Sequence, residues 1–350
     1  MSRQRRSRPV VSVLALALVL GACGGGGGDD DPSPSTSSTA GGPPTSAART
    51  DLAPLTGLVQ PDVARRSRVA LVVKIDNAPK ARPQAGVNQA DIVVSEKVED
   101  GVTRLFAVFQ STDAEPVGPI RSARTTDIAL VAALAHPLYS YSGVSPLVKR
   151  HIAAAPLVDV GFDTNSGDYR RERSRPVVHS LMSTTAALYR KAPPDAKPPP
   201  PWFTYRAEGA PTGVGAPAAG VHIEYTGKNI TTVVDYRWDA GSGTWKRAQD
   251  ATPFVDAAGT QVGPRNVVVQ FVNYRDTGEV DRSRTAVPEA ELVGEGEAWV
   301  YTDGKVVEGR WRKAGATEVT VFTDAKGAPI ALTPGQTWIE LAVKGSARRL

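Results

Sequence analysis

Six prolines fall within nine residues, from Pro193 to Pro201 (PPDAKPPPP). Proline has no amide donor and a fixed φ, so this stretch can be neither a helix interior nor an inner strand. The expectation is a stiff connector. Gly209 to Gly220 is a second loose stretch, and 193–220 together reads as a Pro/Gly-rich linker. The chain has 350 residues, enough for one large domain or two ordinary ones on either side of it.

The two sides differ in pattern. Before the linker, Val69–Asp76 (VALVVKID), Ile92–Val98 and Thr103–Gln110 read as strands, with a hairpin signal at Asp100-Gly101. Gly118–Arg124 reads as a loop. Ile128, Val131, Ala132 and Ala135 repeat at helical spacing. Ser145-Pro146 is an N-cap followed by proline, opening a helix to about Ala154, and Ser183 is expected to cap another through Lys191. After the linker the signal is short strands: Val221–Tyr225, Val233–Trp238, Val267–Tyr274, Ala298–Tyr301, Glu318–Phe322 and Trp338–Val343. The expected fold class is an α/β or α+β N-terminal domain, residues 51–192, followed by a β-rich C-terminal domain, residues 221–345.

The N-terminus carries an address. Arg3, Arg5, Arg6 and Arg8 precede an uncharged apolar run, Val10–Leu20. That run is too short to span a bilayer, which takes about 20 residues, and it fits the core of a signal peptide. It ends at Leu20-Gly21-Ala22-Cys23, a lipobox-like sequence. The expectation is a signal peptide over residues 1–22, cleavage before Cys23, and lipid such as diacylglyceryl and palmitate on that thiol. Residues 23–50 are Gly, Asp, Ser, Thr, Pro and Ala with little to bury, and read as a disordered tether. The chain is thus expected outside the cytoplasm, lipid-anchored to the outer face of the cell membrane through Cys23.

Charge and cysteine usage exclude several classes. Residues 1–22 carry four of the 41 Lys and Arg and none of the 36 Asp and Glu, so cleavage leaves 37 basic against 36 acidic residues, a net of +1. A near-neutral protein has no general electrostatic hold on nucleic acid. One cysteine cannot form an internal disulfide or a CxxC site. His136, His151, His179 and His222 are scattered and form no HExxH, so no metal site is expected. There is no GxSxG elbow, no SxxK set and no phosphate-binding glycine loop, and no cofactor is expected. Glu96 and Glu99, three apart on an expected strand, should point to opposite faces, which argues against a glycosidase pair. The six tryptophans fall in or beside the strand-rich half and read mainly as packing.

The remaining polar residues gather at expected strand ends and loops, where α/β folds place their sites. Asp76, Asn77, Arg82 and Gln84 follow the first strand. Glu99 and Arg104 flank the hairpin, Arg121, Ser122 and Arg124 lie in the next loop, and His179 follows a run of arginines, Arg170, Arg171, Arg173 and Arg175. Converging arginines with fewer acids would suit a carboxylate or phosphate ligand. The same residues can also be read as a structural network, with Arg104 and Arg121 pinned by Asp76, Glu96 and Glu99.

The motifs carry a resemblance. Lys74-Ile75-Asp76-Asn77, Ala81-Arg82-Pro83-Gln84-Ala85-Gly86, Ala90-Asp91-Ile92-Val93, Val98 to Arg104 and Gly118-Pro119-Ile120-Arg121-Ser122-Ala123-Arg124 occur in order. Asp303-Gly304-Lys305, Gly309-Arg310-Trp311 and Pro334-Gly335-Gln336-Thr337-Trp338 follow in the second half. Across roughly residues 52–345 the chain resembles the YerB-like bacterial lipoproteins. Asp100 stands where that pattern favours Gly, and Val178-His179-Ser180 where it tends towards Pro-His-Asn. The resemblance implies a two-part extracytoplasmic lipoprotein and supplies no reaction. The leading expectation is a non-catalytic binding or scaffold protein of the cell envelope, whose partner is an anionic envelope ligand or an envelope protein. The alternative is a hydrolase or transferase acting on cell-wall polymer.

Overall fold

The computed structural model describes residues 50–281 and 284–350. The expected signal peptide, Cys23 and all but the last residue of the tether lie outside these. Residues 49–350 form one compact unit.

The N-terminal half supplies β1 (Leu71–Asp76), β2 (Ile92–Lys97), β3 (Thr103–Phe109), β4 (Leu138–Ser140) and β5 (Val158–Asp159). The C-terminal half supplies β6 (Gly220–Thr226), β7 (Thr231–Asp239), β8 (Thr244–Gln249), β9 (Asn266–Val272), β10 (Tyr274–Val280) and β11 (Ala286–Ala290). It continues with β12 (Gly294–Thr302), β13 (Lys305–Lys313), β14 (Val321–Asp324), β15 (Thr337–Val343) and β16 (Ala347–Arg349). Helices are few and short, chiefly Thr126–Val131, Pro146–Ala154 and Thr185–Tyr189. A mixed half followed by a β-rich half is the fold class expected from the pattern.

The halves are joined more closely than the linker suggests. One mixed sheet runs β14-β13-β12-β9-β15-β2-β3-β1-β4-β5, with Ala216–Pro217 pairing onto β13. At its centre β15 lies parallel to both β9 and β2, so a C-terminal strand is hydrogen-bonded directly to an N-terminal one. The division at 193–220 into a mixed half and a strand-rich half holds along the sequence, and the hydrogen-bond ladder crosses it. The physical reason is edge satisfaction. β2 and β9 each present an open ladder that β15 fills on both sides.

Both faces of the sheet are buried. One face, with Val73, Val93, Leu105, Val267 and Trp338, packs against a second sheet of β8, β7, β6 and β16 that brings Tyr225, Tyr236 and Trp245. The other, with Val72, Val94, Phe106, Val268 and Ile339, is covered by the 126–134 segment, helix Pro146–Ala154, and Trp202. Burial on both sides explains why β1, β2, β3, β9 and β15 read as near-continuous apolar runs.

Local capping follows the sequence with one shift. Ser145 Oγ accepts from Val148 N at 3.2 Å, as expected. The Thr185–Tyr189 helix is capped by Thr184, whose Oγ1 accepts from Ala187 N at 3.1 Å, whereas Ser183 donates to the Asp168 carbonyl.

Candidate functional site

The site grows from the C-terminal end of β1. Alternation puts Lys74 and Asp76 on one face and Ile75 in the opposite core. Across β3 the register sets Lys74 beside Phe106 and Asp76 beside Arg104, and across β2 it sets Glu96 beside the same Arg104. Along β1, β4 pairs with Leu71–Val73 and no further. Beyond it the 119–121 segment takes over that edge: Asp76 N donates to the Pro119 carbonyl and Arg121 N to the Lys74 carbonyl, both at 2.8 Å. Ile120 N in turn donates to the Leu181 carbonyl at 2.7 Å. That bond draws the 170–182 hairpin alongside, and with it His179.

Three layers of charge result. The innermost is fully buried. Lys74 Nζ bonds Glu96 Oε1 and lies 2.6 Å from Asp127 Oδ1. Asp127 Oδ2 accepts from Tyr139 Oη at 2.6 Å and from Arg124 N at 2.7 Å. Burial pushes the Glu96 carboxyl up to about 7 against the pull of Lys74. Its Oε2 has no hydrogen-bond partner among the described residues.

The middle layer joins Glu99 to two arginines. Arg124 Nε lies 2.6 Å from Glu99 Oε1, and Arg104 Nη2 lies 3.6 Å from Glu99 Oε2. Arg104 Nη1 also donates to the Ser122 carbonyl at 3.1 Å. Burial lowers the Arg104 guanidinium to about 10, and the charge of Arg124 adds to this. For Glu99, burial acts upward, but the Arg124 hydrogen bond and the two nearby arginines win and hold it below the usual carboxylate range. β2 ends at Lys97 and Glu99 opens a 3-10 turn, so Glu96 and Glu99 are not on opposite faces of one strand. A turn intervenes, and both face Arg124.

The outermost layer is partly open. Asp76 Oδ2 is hydrogen-bonded to His179 Nδ1 at 2.8 Å and forms an ion pair with Arg121 Nε at 3.2 Å. The Asp76 side chain is 3% exposed, His179 13% and Arg121 31%, so the arginine is the group solvent reaches. Among the described residues, no hydrogen bond engages the terminal nitrogens of Arg121, Nε2 of His179 or the hydroxyl of Ser122. Arg175 fixes the loop that carries His179, donating to the Ala81 and Pro83 carbonyls at 2.9 and 2.8 Å.

Seven of the ten candidates thus come together: Asp76, Glu99, Arg104, Arg121, Ser122, Arg124 and His179. Arg104 is pinned by Glu99, and Arg121 by Asp76. The other three turn towards the second sheet. Asn77 Nδ2 donates to Thr103 Oγ1 at 2.7 Å and to Gln249 Oε1 at 3.0 Å. Gln84 Nε2 donates to Asn77 Oδ1 at 2.8 Å, and Arg82 pairs with Asp250 at 2.8 Å. Asn77 is one residue past Asp76, and successive strand residues point to opposite faces. These three lock the N-terminal half onto β8 and its turn, and they are not part of the cluster.

Sequence reasoning missed Lys74, Asp127 and Tyr139. The available signal was the single lysine inside VALVVKID, since a charge in a doubly buried strand needs a partner. Among the described residues, no group of three or more His, Cys, Asp and Glu could hold a metal. Hollows of 470 Å³, beside Arg206 and Arg265, and 870 Å³, beside Arg310 and Trp311, are lined by other residues. No helix of the described residues is long and apolar enough to cross a membrane.

Comparison with known proteins places this architecture. Residues 55–197 match "Protein of unknown function (DUF3048) N-terminal domain", and residues 221–339 match the corresponding C-terminal domain. The chain is 31% identical over 301 residues to the protein named "Putative lipoprotein YerB" from Bacillus subtilis (strain 168), covering 83% of this chain and 85% of that one. Its fold is similar to the crystal structure of YerB protein from Bacillus subtilis. That superposition has a TM-score of 0.74 at 23% identity, over 85% of this chain and 99% of the other.

Proposed function

Since the chain belongs to the YerB-like family of lipoproteins defined by the two DUF3048 domains, we propose that it is a lipid-anchored binding protein of the cell envelope. It is cut before Cys23, carries lipid there, and works outside the membrane without catalysing a reaction. Its ligand is an anion, a carboxylate or phosphate, taken at Arg121 and His179.

One observation carries this reading. A single oxygen of Asp76 holds both Arg121 Nε and His179 Nδ1, and among the described residues the remaining nitrogens of both have no hydrogen-bond partners at a partly open surface. A carboxylate that fixes one edge of a guanidinium leaves the other free for a second acid. The layers below support the same sign. Arg104, Arg121 and Arg124 face Asp76 and Glu99, so the outer part has one positive charge in excess. The deeper Lys74–Glu96–Asp127 set compensates it only through buried atoms.

A second reading rests on the His179–Asp76 contact, which resembles an oriented imidazole base. It would make the protein a hydrolase or transferase acting on cell-wall polymer. Against it, among the described residues no hydroxyl nucleophile is hydrogen-bonded to His179. The cluster consists largely of satisfied ion pairs, as a binding surface would.

Calorimetric titration with inorganic phosphate and with a short peptide carboxylate tests the proposal. Arg121→Ala and His179→Ala should each weaken binding by about tenfold or more, as loss of a charged hydrogen bond would. Binding unchanged in both variants would refute it. Turnover of cell-wall fragments that is lost in His179→Ala would favour the enzyme.

A further inference from the structure

Beside His179 the surface changes character. Val177 is 69% exposed and Val178 58%, the most exposed adjacent pair of large aliphatic residues among those described. They form the tip of the short turn Val177–His179, and among the described residues nothing buries them. Single exposed valines are ordinary; two in succession on a short turn are less so.

The turn that carries the tip is rich in cations. Arg171 Nη1 donates to the Val177 carbonyl at 2.7 Å, which sets its guanidinium at the turn itself. Arg170 and Arg173 are exposed in the same hairpin, and Lys80 is exposed in the Pro79–Ala81 turn that Arg175 grips. Arg121 adds the free end of its guanidinium. The acid within this hairpin, Glu172, is paired with Arg175 at 2.7 Å. An exposed aliphatic pair on an arginine-rich hairpin matches an anionic bilayer surface: the apolar tip enters the headgroup boundary and the arginines meet lipid phosphates.

We propose that the Val177–Val178 tip and the neighbouring arginines dock this domain on an anionic phospholipid bilayer, with a headgroup phosphate as the anion at Arg121 and His179. This rests on the anion-site reading above and names its ligand. Lipid on Cys23 would make the docking step intramolecular. At most about 100 Å of extended chain separates Cys23 from the first described residues, so even weak contacts operate at an effective concentration on the order of millimolar. Two valines alone would not hold a protein to a membrane, and the tether removes that requirement.

Residues 49–350 form one compact unit, so they can be tested without lipid. They lack Cys23, the single cysteine of the chain, so Val178→Cys gives a unique labelling position. This fragment should sediment with phosphatidylcholine vesicles containing roughly one third phosphatidylglycerol and not with phosphatidylcholine alone. Val177→Asp/Val178→Asp and Arg171→Glu/Arg173→Glu should each reduce that binding by about tenfold or more while the melting temperature stays within a few degrees. An environment-sensitive dye at position 178 should shift to the blue on the anionic vesicles. If the variants bind as well as the unaltered fragment, or the fragment ignores anionic vesicles at low salt, docking is refuted. Should inorganic phosphate still bind through Arg121 in that second case, the anion site survives and only its assignment to lipid falls.

Discussion

His179 Nδ1 lies 2.8 Å from Asp76 Oδ2, although 103 residues separate them in the chain. The contact exists because residue 120 pairs with β1 on one side and with Leu181 on the other. Asp76 is thereby the anchor of the outer layer and Arg121 its accessible partner. Arg121→Ala should cost about 0–1 kcal/mol of stability, the range for a partly exposed ion pair. Urea unfolding checks this; a much larger loss would mean that Arg121 serves the fold.

Lys74 presents the opposite case. It is 0% exposed and holds two buried carboxylates, Glu96 and Asp127. Lys74→Met should destabilise by about 3–5 kcal/mol, because it strands those charges. Adding Glu96→Gln should recover part of the loss, since residues sharing one network do not add. Denaturant midpoints of the single and double variants measure the coupling, and simple additivity would contradict the network.

Stability should fall as pH rises through the neutral range. Burial pushes Glu96 up to about 7 and Asp91 up to about 6, from ordinary values of 4.5 and 3.8. A carboxyl that titrates higher in the fold binds its proton more tightly when folded. Its contribution is complete below the unfolded value and is lost as pH climbs through the folded one. His222, raised chiefly by its hydrogen bond with Glu224, acts with the same sign. The melting temperature should be higher at about pH 5 than at about pH 7.5, and Glu96→Gln should flatten the upper part of that slope. A melting temperature that climbs over this range would contradict the assignment.

Much of the fold was legible because doubly buried strands are apolar runs: VALVVKID and the valines of β2 and β9 announce themselves. β8 and β13 were not. Their burial alternates, and β8 buries Arg247, which stacks on Phe254 and Trp338 at 4.2 and 5.0 Å. A charged residue in a core gives no hydrophobic signal. The cluster was legible where arginines followed strand ends. Asn77, Arg82 and Gln84 shared that position in sequence but face the second sheet, and sequence position does not reveal which side of a chain faces which partner.

The shared sheet makes the halves interdependent. A fragment of residues 51–192 should show no cooperative thermal transition, because removing β15 opens the edge of β2 and one sheet face loses the second sheet that covers it. Residues 49–350 should melt in one transition. Circular dichroism of the two fragments decides, and a cooperative melt of 51–192 alone would show that the N-terminal half is self-sufficient.

Lipid anchoring has its own check. Cys23→Ala should leave the protein extractable from membranes by a high-salt wash, since surface docking through arginines is screened by salt whereas acyl chains are not. Full retention after that wash would remove Cys23 as the anchor.

The anion site itself is tested most directly at the imidazole of His179. In an NMR titration of residues 49–350 with inorganic phosphate, the His179 ring resonances should shift and saturate. The same titration of Arg121→Ala should leave them unmoved. Resonances that stay fixed in the unaltered protein, or that shift equally in Arg121→Ala, would contradict a site built on Asp76, Arg121 and His179.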